Sequence, residues 1–303
     1  MKCTKCKGKA IIKLPQHNAR FCKTHFKEYF LNQVKKAVKK YKMIGKDEKV
    51  LVAVSGGKDS LVLWEVLHRL GYNAEGFYID LGIEEYSRHS LGLCRDFADS
   101  RNLQLNTVSL PGLTGYGIRE ISQKTRRTPC SACGLIKRYL FNRLALERGY
   151  QVIATGHNLD DEAATLMGNI TRWQIDYLSR QSPVLPSNHP SMVKKIKPLC
   201  RLTEKETSSF AVLNGINYIY EECPLAEGAR SILYKKTLNY LENNSPGTKI
   251  QFYLGFLKQK TELFPQESET DLSVCRICHQ PTTLEVCAFC NMMEKLGLEK
   301  ITL

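Results

Sequence analysis

Nothing in this 303-residue chain approaches the ~18 consecutive apolar residues that a membrane-spanning helix needs, which argues against a membrane segment. The opening Met1-Lys2-Cys3-Thr4-Lys5-Cys6 lacks the apolar stretch of a secretory leader, so the expected location is the cytoplasm. Acidic residues are scarce beside basic ones, 30 against 44, leaving a formal net charge of +14. That excess fits a polyanionic partner such as RNA, although a solvated charged surface has the same composition. The Walker spacing G-x-x-x-x-G-K-S/T is missing, so the chain does not carry that nucleotide loop. The length suits one main domain with attachments.

Cysteine, by contrast, is plentiful. Twelve cysteines without a leader read as metal ligands or catalytic groups rather than disulfides. Cys3-x2-Cys6 pairs with Cys22-x2-His25, and Cys275-x2-Cys278 with Cys287-x2-Cys290. Ligands two residues apart on two short knuckles are what a tetrahedral zinc ion needs. Both sets are complete at four ligands, so a structural role is expected, with zinc lending folding energy to segments too short to build their own cores. His17 and His279 lie nearby and are set aside in favour of His25 and Cys290. The thiolates take back only about three of the positive charges, and the chain stays basic. Cys94 and Cys200 stand alone and read as buried small hydrophobes. Over residues 26–43, Phe26, Phe30, Val34, Ala37, Val38 and Tyr41 recur at helical spacing, with Lys35, Lys36, Lys39, Lys40 and Lys42 largely elsewhere. That basic face is either solvated or a phosphate contact.

The middle of the chain alternates short apolar strands (49–54, 74–80, 104–110, 151–155 and, less clearly, 217–220) with helices, which predicts an α/β fold with a doubly wound parallel sheet. Ligands gather beyond the carboxyl ends of such strands. Three segments should meet there: residues 55–60, the strand end near Ile79, and residues 156–162. The first is Ser55-Gly56-Gly57-Lys58-Asp59-Ser60, a strand–loop–helix junction that aims free N–H groups at an anion. Gly56 and Gly57 permit close approach, Ser55, Ser60 and Lys58 add donors, and Asp59 could hold magnesium or a water. The loop resembles the SGGxDS loop of the PP-loop ATP pyrophosphatases, which adenylate a substrate oxygen. In the third segment, Asp160, Asp161 and Glu162 open a helix, either as dipole partners or as magnesium ligands.

Thr128-Pro129-Cys130-Ser131-Ala132-Cys133-Gly134, with Lys137 and Arg138 one turn on, has three readings. It is a redox dithiol, half of a metal site, or a nucleophile pair that accepts persulfide sulfur. Cys223, before Pro224, is the distant cysteine with a comparable setting. Spacing does not separate a three-cysteine cluster from a dithiol with an unrelated third thiol.

Taken together, the two zinc knuckles, Ser-Gly-Gly-Lys-Asp-Ser, Cys-Ser-Ala-Cys-Gly, Thr-Gly-His-Asn-Leu-Asp-Asp-Glu and Cys-Pro-Leu-Ala-Glu-Gly-Ala resemble the TtcA/TtuA family of tRNA thiolation enzymes. The terminal Cys-Arg-Ile-Cys-His-Gln-Pro-Thr and Cys-Ala-Phe-Cys place it nearer the two-finger TtuA branch, the 2-thiouridine synthetases. The resemblance implies a PP-loop ATP pyrophosphatase domain and a 4Fe-4S cluster on Cys130, Cys133 and Cys223 with one iron open. It implies ATP phosphates on residues 55–60, nucleotide contacts at Ala53 and Ile79, and Lys137, Gly156 and Asp161 completing the site. The implied reaction adenylates the C2 oxygen of a tRNA uridine and replaces it with sulfur. Lys137 would stabilise developing charge, and Asp161 would orient magnesium or assist proton transfer. Sulfur would arrive as hydrosulfide on the open iron, the route favoured here, or as a cysteine persulfide. The donor is a thiocarboxylated ubiquitin-like carrier or free sulfide, and the family suggests a homodimer. Which uridine is modified stays open. The expected divisions are a zinc finger (1–26), a basic helix and linker (27–48), the catalytic domain (49–222), a helical extension (223–270) and a second finger (271–303). Two other readings are a PP-loop tRNA-modifying ligase with a non-sulfur nucleophile and a non-catalytic zinc-knuckle RNA-binding protein.

Overall fold

A computed structural model describes residues 1–226, 230–264 and 272–298. The last three residues of the 223–229 motif, residues 265–271 of the expected extension and second finger, and residues 299–303 of that finger lie outside the described residues. An N-terminal hairpin, β1 (Ile12–Leu14) and β2 (Ala19–Phe21), leads into the long helix α1 (Lys23–Lys40). Strands and helices then alternate: β3 (Val50–Val54), α2 (Lys58–Arg69), β4 (Ala74–Asp80), α3 (Glu84–Asp99) and β5 (Leu105–Ser109). Next come α4 (Leu110–Thr114), α5 (Ile118–Thr125), α6 (Pro129–Glu147), β6 (Val152–Thr155), α7 (Leu159–Ile170) and α8 (Ile175–Arg180). The short strands β7 (Val184–Leu185) and β8 (Lys194–Ile196) precede α9 (Glu204–Leu213), α10 (Arg230–Asn244) and α11 (Thr248–Leu263). A short hairpin, β9 (Ser273–Val274) and β10 (Pro281–Thr282), and helix α12 (Ala288–Glu294) form the C-terminal finger.

The central sheet has the order β5-β4-β3-β6-β8-β7. All neighbours run parallel except β7, which pairs antiparallel with β8 at the edge. The doubly wound sheet expected from the sequence is therefore the observed fold. β3 is its centre because Val50, Leu51, Val52 and Val54 are all buried, as a strand covered on both faces requires. Its alternate residues feed two cores. Val50, Val52 and Val54 pack with α1, α2 and the N-terminal finger, and Leu51 packs with α5, α6 and the C-terminal finger. α1 is amphipathic as expected, with Phe26, Phe30, Val34, Ala37 and Val38 buried and Lys35, Lys36, Lys39, Lys40 and Lys42 exposed.

One expected strand does not form. Residues 217–220 carry no strand, and the place beside β6 belongs to β8. The segment instead lies over the 55–60 loop, where the Ile219 N–H donates to the Gly56 carbonyl at 2.9 Å. Tyr218 and Tyr220, which gave it a strand-like composition, sit against each other at 4.5 Å between centroids. Among the described residues no helix is long and apolar enough to cross a membrane.

Candidate active site

β4 and β6 flank β3 on opposite sides, so the chain departs in two directions beyond the carboxyl end of β3 and leaves a crevice there. The 55–60 loop occupies this point. Gly56 has φ +76, and a Cβ on it would lie 2.8 Å from the Ser90 carbonyl oxygen. Gly57 caps α2 with extended backbone, and no side chain takes up the first N–H groups of the helix, which leaves them for a ligand. Ser60 Oγ accepts from the Ser55 N–H at 3.1 Å and donates to the Gly57 carbonyl at 2.9 Å, which closes the loop. Gly156 presses directly on it. A Cβ there would come within 2.8 Å of both Asp59 C and Ser60 N. Ala53 is half-buried in β3, and Ile79 is buried at the end of β4.

The acidic helix start sorts into three different roles. Asn158 caps α7 by accepting from the Asp160 and Asp161 N–H groups, and Asp161 Oδ2 accepts from the Asn158 N–H at 3.0 Å. Asp160 is buried against Lys249 at 2.5 Å. Glu162 is buried against Lys197 at 2.7 Å and the Tyr253 hydroxyl at 2.9 Å. Asp160 also accepts the Glu204 N–H at 2.9 Å, and Asp161 joins a side-chain circuit around the crevice. Its Oδ1 lies 2.5 Å from Lys235 Nζ, which is 3.5 Å from Glu204 Oε2. Glu204 Oε1 is 2.7 Å from Lys58 Nζ, itself 3.1 Å from Asp59 Oδ2. Asn158 Nδ2 then donates to Asp59 Oδ1 at 3.0 Å and closes the ring.

Burial works against charge on Asp161, but Lys235, the Asn158 N–H and His157 together outweigh it and hold the carboxyl below its ordinary pKa. Burial likewise opposes Glu204, and Lys58 and Lys235 together depress it. For Asp59 burial wins over Lys58 and Asn158, and its pKa rises. Sequence reasoning missed Glu204 and Lys235. Neither belongs to a short motif, and the only signal was the Thr203/Glu206 capping box that starts α9.

Cys130 lies in the first turn of α6 and Cys133 one turn on, with Pro129 ahead of them. The Cys130 thiol donates to the Leu225 carbonyl at 3.8 Å, beside Cys223. Burial raises the Cys133 pKa and Lys137, hydrogen-bonded to it, lowers it, while Cys223 and Cys130 are close enough to raise it further. The three cysteines expected to act together are therefore neighbours. Among the described residues their sulfurs are not all within 4.8 Å of one another. A single tetrahedral ion with ~2.3 Å bonds to sulfur needs edges of about 3.8 Å, shorter than this spacing. The 217–225 segment ties it to the loop, touching Gly56 through Ile219 and Cys130 through Leu225. A cavity of about 510 Å³ opens alongside, lined in part by Gly82, Tyr86, Arg119, Glu120, Pro224 and Leu225.

At the two ends, Cys3, Cys6, Cys22 and His25, and Cys275, Cys278, Cys287 and Cys290, each gather their ligand atoms within 4.8 Å and could hold a metal ion. Cys6 and Cys22 sulfurs are 3.8 Å apart, and those of Cys278 and Cys287 are 3.7 Å apart, matching the edge given above. His25 presents Nδ1, at 3.5 Å from Cys3 Sγ and 3.3 Å from Cys22 Sγ. His17 and His279 stay outside both sets. Cys94 and Cys200 are buried, and burial pushes each thiol up to about 12.

The sheet, the glycine-paired loop and the crevice define a PP-loop domain, whose sequence profile matches residues 26–226. A second profile, the N-terminal LIM domain of the 2-thiouridine synthetase TtuA, matches residues 2–27. The chain is 46% identical over 294 residues to the tRNA-5-methyluridine(54) 2-sulfurtransferase of Thermus thermophilus, covering 97% of this chain and 91% of that protein. It is 45% identical over 300 residues to the enzyme of the same name from Pyrococcus horikoshii, covering 99% and 95%. Its structure is similar to that of the U34-tRNA thiolase NcsA from Methanococcus maripaludis with its 4Fe-4S cluster, at a TM-score of 0.85, 27% identity, and coverage of 100% and 99%. The chain belongs to the TtcA/TtuA family of PP-loop tRNA thiolation enzymes, in its TtuA branch.

Proposed function

We propose that this chain is a tRNA uridine 2-sulfurtransferase that adenylates the C2 oxygen of a uridine with ATP and exchanges that oxygen for sulfur. The uridine oxygen attacks the α-phosphorus and pyrophosphate leaves. Sulfur then adds at C2, and AMP departs with the oxygen. The observation that carries this reading is the 217–225 segment, which joins the PP-loop at Gly56 to the cysteine group at Cys130. A PP-loop alone would serve many ATP-dependent ligations. A cysteine trio tied to it supports sulfur as the nucleophile.

In this reading the N–H groups and hydroxyls of Ser55, Gly56, Gly57 and Ser60 cradle the phosphates with Lys58. Ala53 and Ile79 meet the nucleotide at the strand ends, and Gly156 keeps the second loop on the first. Asp59 and Asp161 supply carboxylates for Mg2+, a hard cation that prefers oxygen. Lys137 lies beside Cys133, and in this reading its charge stabilises the departing phosphate ester. Cys130, Cys133 and Cys223 would hold the 4Fe-4S cluster, which when bound supplies an iron without a protein ligand where sulfide can be taken up and released. Zinc is the proposed occupant of both terminal sets, supported by their four-ligand composition and edge lengths.

tRNA fits the net charge of +14, and the cavity beside Cys223 offers room for a base taken out of its stack. The names of the 45–46% identical relatives support 5-methyluridine at position 54 as the target. A thiocarboxylated ubiquitin-like sulfur carrier, homodimer assembly and a cytoplasmic location are further proposals from the family. Mass spectrometry of nucleosides from tRNA of cells with and without the intact gene tests the reading. Loss of 2-thio-5-methyluridine on deletion, restored by the wild-type gene but not by Cys130→Ser, is the expected result. Unchanged thiolation of all tRNA uridines on deletion would sink it.

A further inference from the structure

In the circuit around the crevice, every carboxylate oxygen that faces the PP-loop is already engaged. Asp161 gives one oxygen to the Asn158 N–H and the other to Lys235. Asp59 gives one to Asn158 and one to Lys58. A magnesium ion arriving with ATP would need at least one of these oxygens, and the cation most readily displaced from Asp161 is Lys235. The Lys235 side chain is 27% exposed, so solvent reaches it, and its flexible four-carbon stem can swing. Lys249 makes the contrast. It is 5% exposed and fixed to Asp160 and Asn239, so it is a lysine of the framework.

Lys235 also shares a carboxylate with the PP-loop. Glu204 receives Lys58 on one oxygen and Lys235 on the other, which puts both ammonium groups on one rim of the crevice. We propose that Lys235 of α10 is a positioning residue for the nucleotide, holding Asp161 when the crevice is empty and turning to the outer phosphates of ATP when magnesium takes Asp161. Lys58 and Lys235 then clamp the leaving pyrophosphate from the loop and from α10, while Glu204 keeps the two lysines apart and oriented. The inference rests on the ATP reading above and extends it to a residue outside the PP-loop domain's short motifs.

Equilibrium binding of ATP, pyrophosphate and AMP, with magnesium, to the full-length wild type, Lys235→Gln and Lys235→Arg tests it. Lys235→Gln should weaken ATP and pyrophosphate binding about tenfold, the worth of one charge-assisted contact, and leave AMP binding unchanged. Retained AMP binding would itself show that the crevice is folded, and Lys235→Arg should recover most of the loss. Manganese titrated without nucleotide and followed by electron paramagnetic resonance should bind more tightly to Lys235→Gln, because Asp161 has lost its competitor. Equal weakening for ATP and AMP, or no weakening for ATP, overturns the proposal. Failure of the wild-type chain to bind ATP at all would overturn the ATP reading and this one with it.

Discussion

Single atoms decide how the 55–60 loop and the loop at Gly156 meet. Gly156 has no room for a methyl group, since the atoms 2.8 Å from its Cβ position are backbone of Asp59 and Ser60 and cannot swing aside. Gly57 is the opposite case. Its backbone is extended, and its Cβ would find only Ser55 Oγ at 3.5 Å. Gly156→Ala should therefore cost about 1–3 kcal/mol of stability and displace the loop, as overpacking does. Gly57→Ala should melt within about 0.5 kcal/mol of the wild type. Thermal unfolding of the two variants, with ATP binding measured alongside, separates a glycine that the fold requires from one that only a ligand could require. Comparable melting of both would show that the Gly156 contact is not tight in solution. The two motifs made the glycines visible, but not which neighbour each serves.

At the scale of elements, what could be read in advance followed from burial. β3 and β6 are near-continuous apolar runs, and β4 is apolar over Phe77-Tyr78-Ile79, because helices cover both sheet faces. β8 escaped notice because Lys194-Lys195-Ile196 offers one apolar side chain in three, and Lys194 is paired with Glu48 at 2.8 Å. The expected strand at 217–220 had aromatic composition without a partner. The PP-loop, the α7 start and Cys130-x2-Cys133 were legible because their chemistry is confined to a few consecutive residues. Glu204 and Lys235 reach the same crevice from α9 and α10, and no local spacing announces that. The foot of the sheet carries a similar long-range device. Glu75 of β4 takes Lys49 at 2.9 Å, the Tyr150 hydroxyl and Asn106 Nδ2 at 3.4 Å. Burial opposes its charge, but these partners outweigh burial and depress its pKa. A depressed carboxyl stabilises the fold above its unfolded pKa of 4.5, and that contribution is lost as pH falls through the folded value. Glu75→Gln should cost about 1–2 kcal/mol at neutral pH, and the deficit should shrink on acidification below about pH 4. Denaturant unfolding of both proteins across that range is the measurement, and a deficit independent of pH would count against the ion pair.

For the molecule as a whole, the terminal fingers behave as braces for two different halves of the site. The C-terminal finger lies on α6, the helix that opens with Cys130 and Cys133. Phe289 stacks on Tyr139 at 3.6 Å between centroids, and Asn142 donates to Gln280 at 2.6 Å. The N-terminal finger reaches the ATP side through α1 and α9. Phe21 stacks on Tyr29, whose hydroxyl donates to Glu206 at 2.7 Å, and Phe30 stacks on Phe210 at 4.2 Å. α9 begins at Glu204, the carboxylate that holds Lys58 and Lys235. Loss of metal folding energy at one end should therefore not weaken the site uniformly. Cys278→Ser should lower the iron bound per chain after anaerobic reconstitution several-fold and change ATP affinity little. Cys6→Ser should do the reverse, loosening α9 and weakening ATP binding while iron loading persists. Iron analysis and nucleotide titration on the same preparations give the two readouts. Parallel losses in both variants would mean that the fingers support the domain as one unit, and the division into a sulfur-side and a nucleotide-side brace would be wrong. The division follows from the sheet itself, because alternate residues of β3 face opposite cores and each finger is built into one of them.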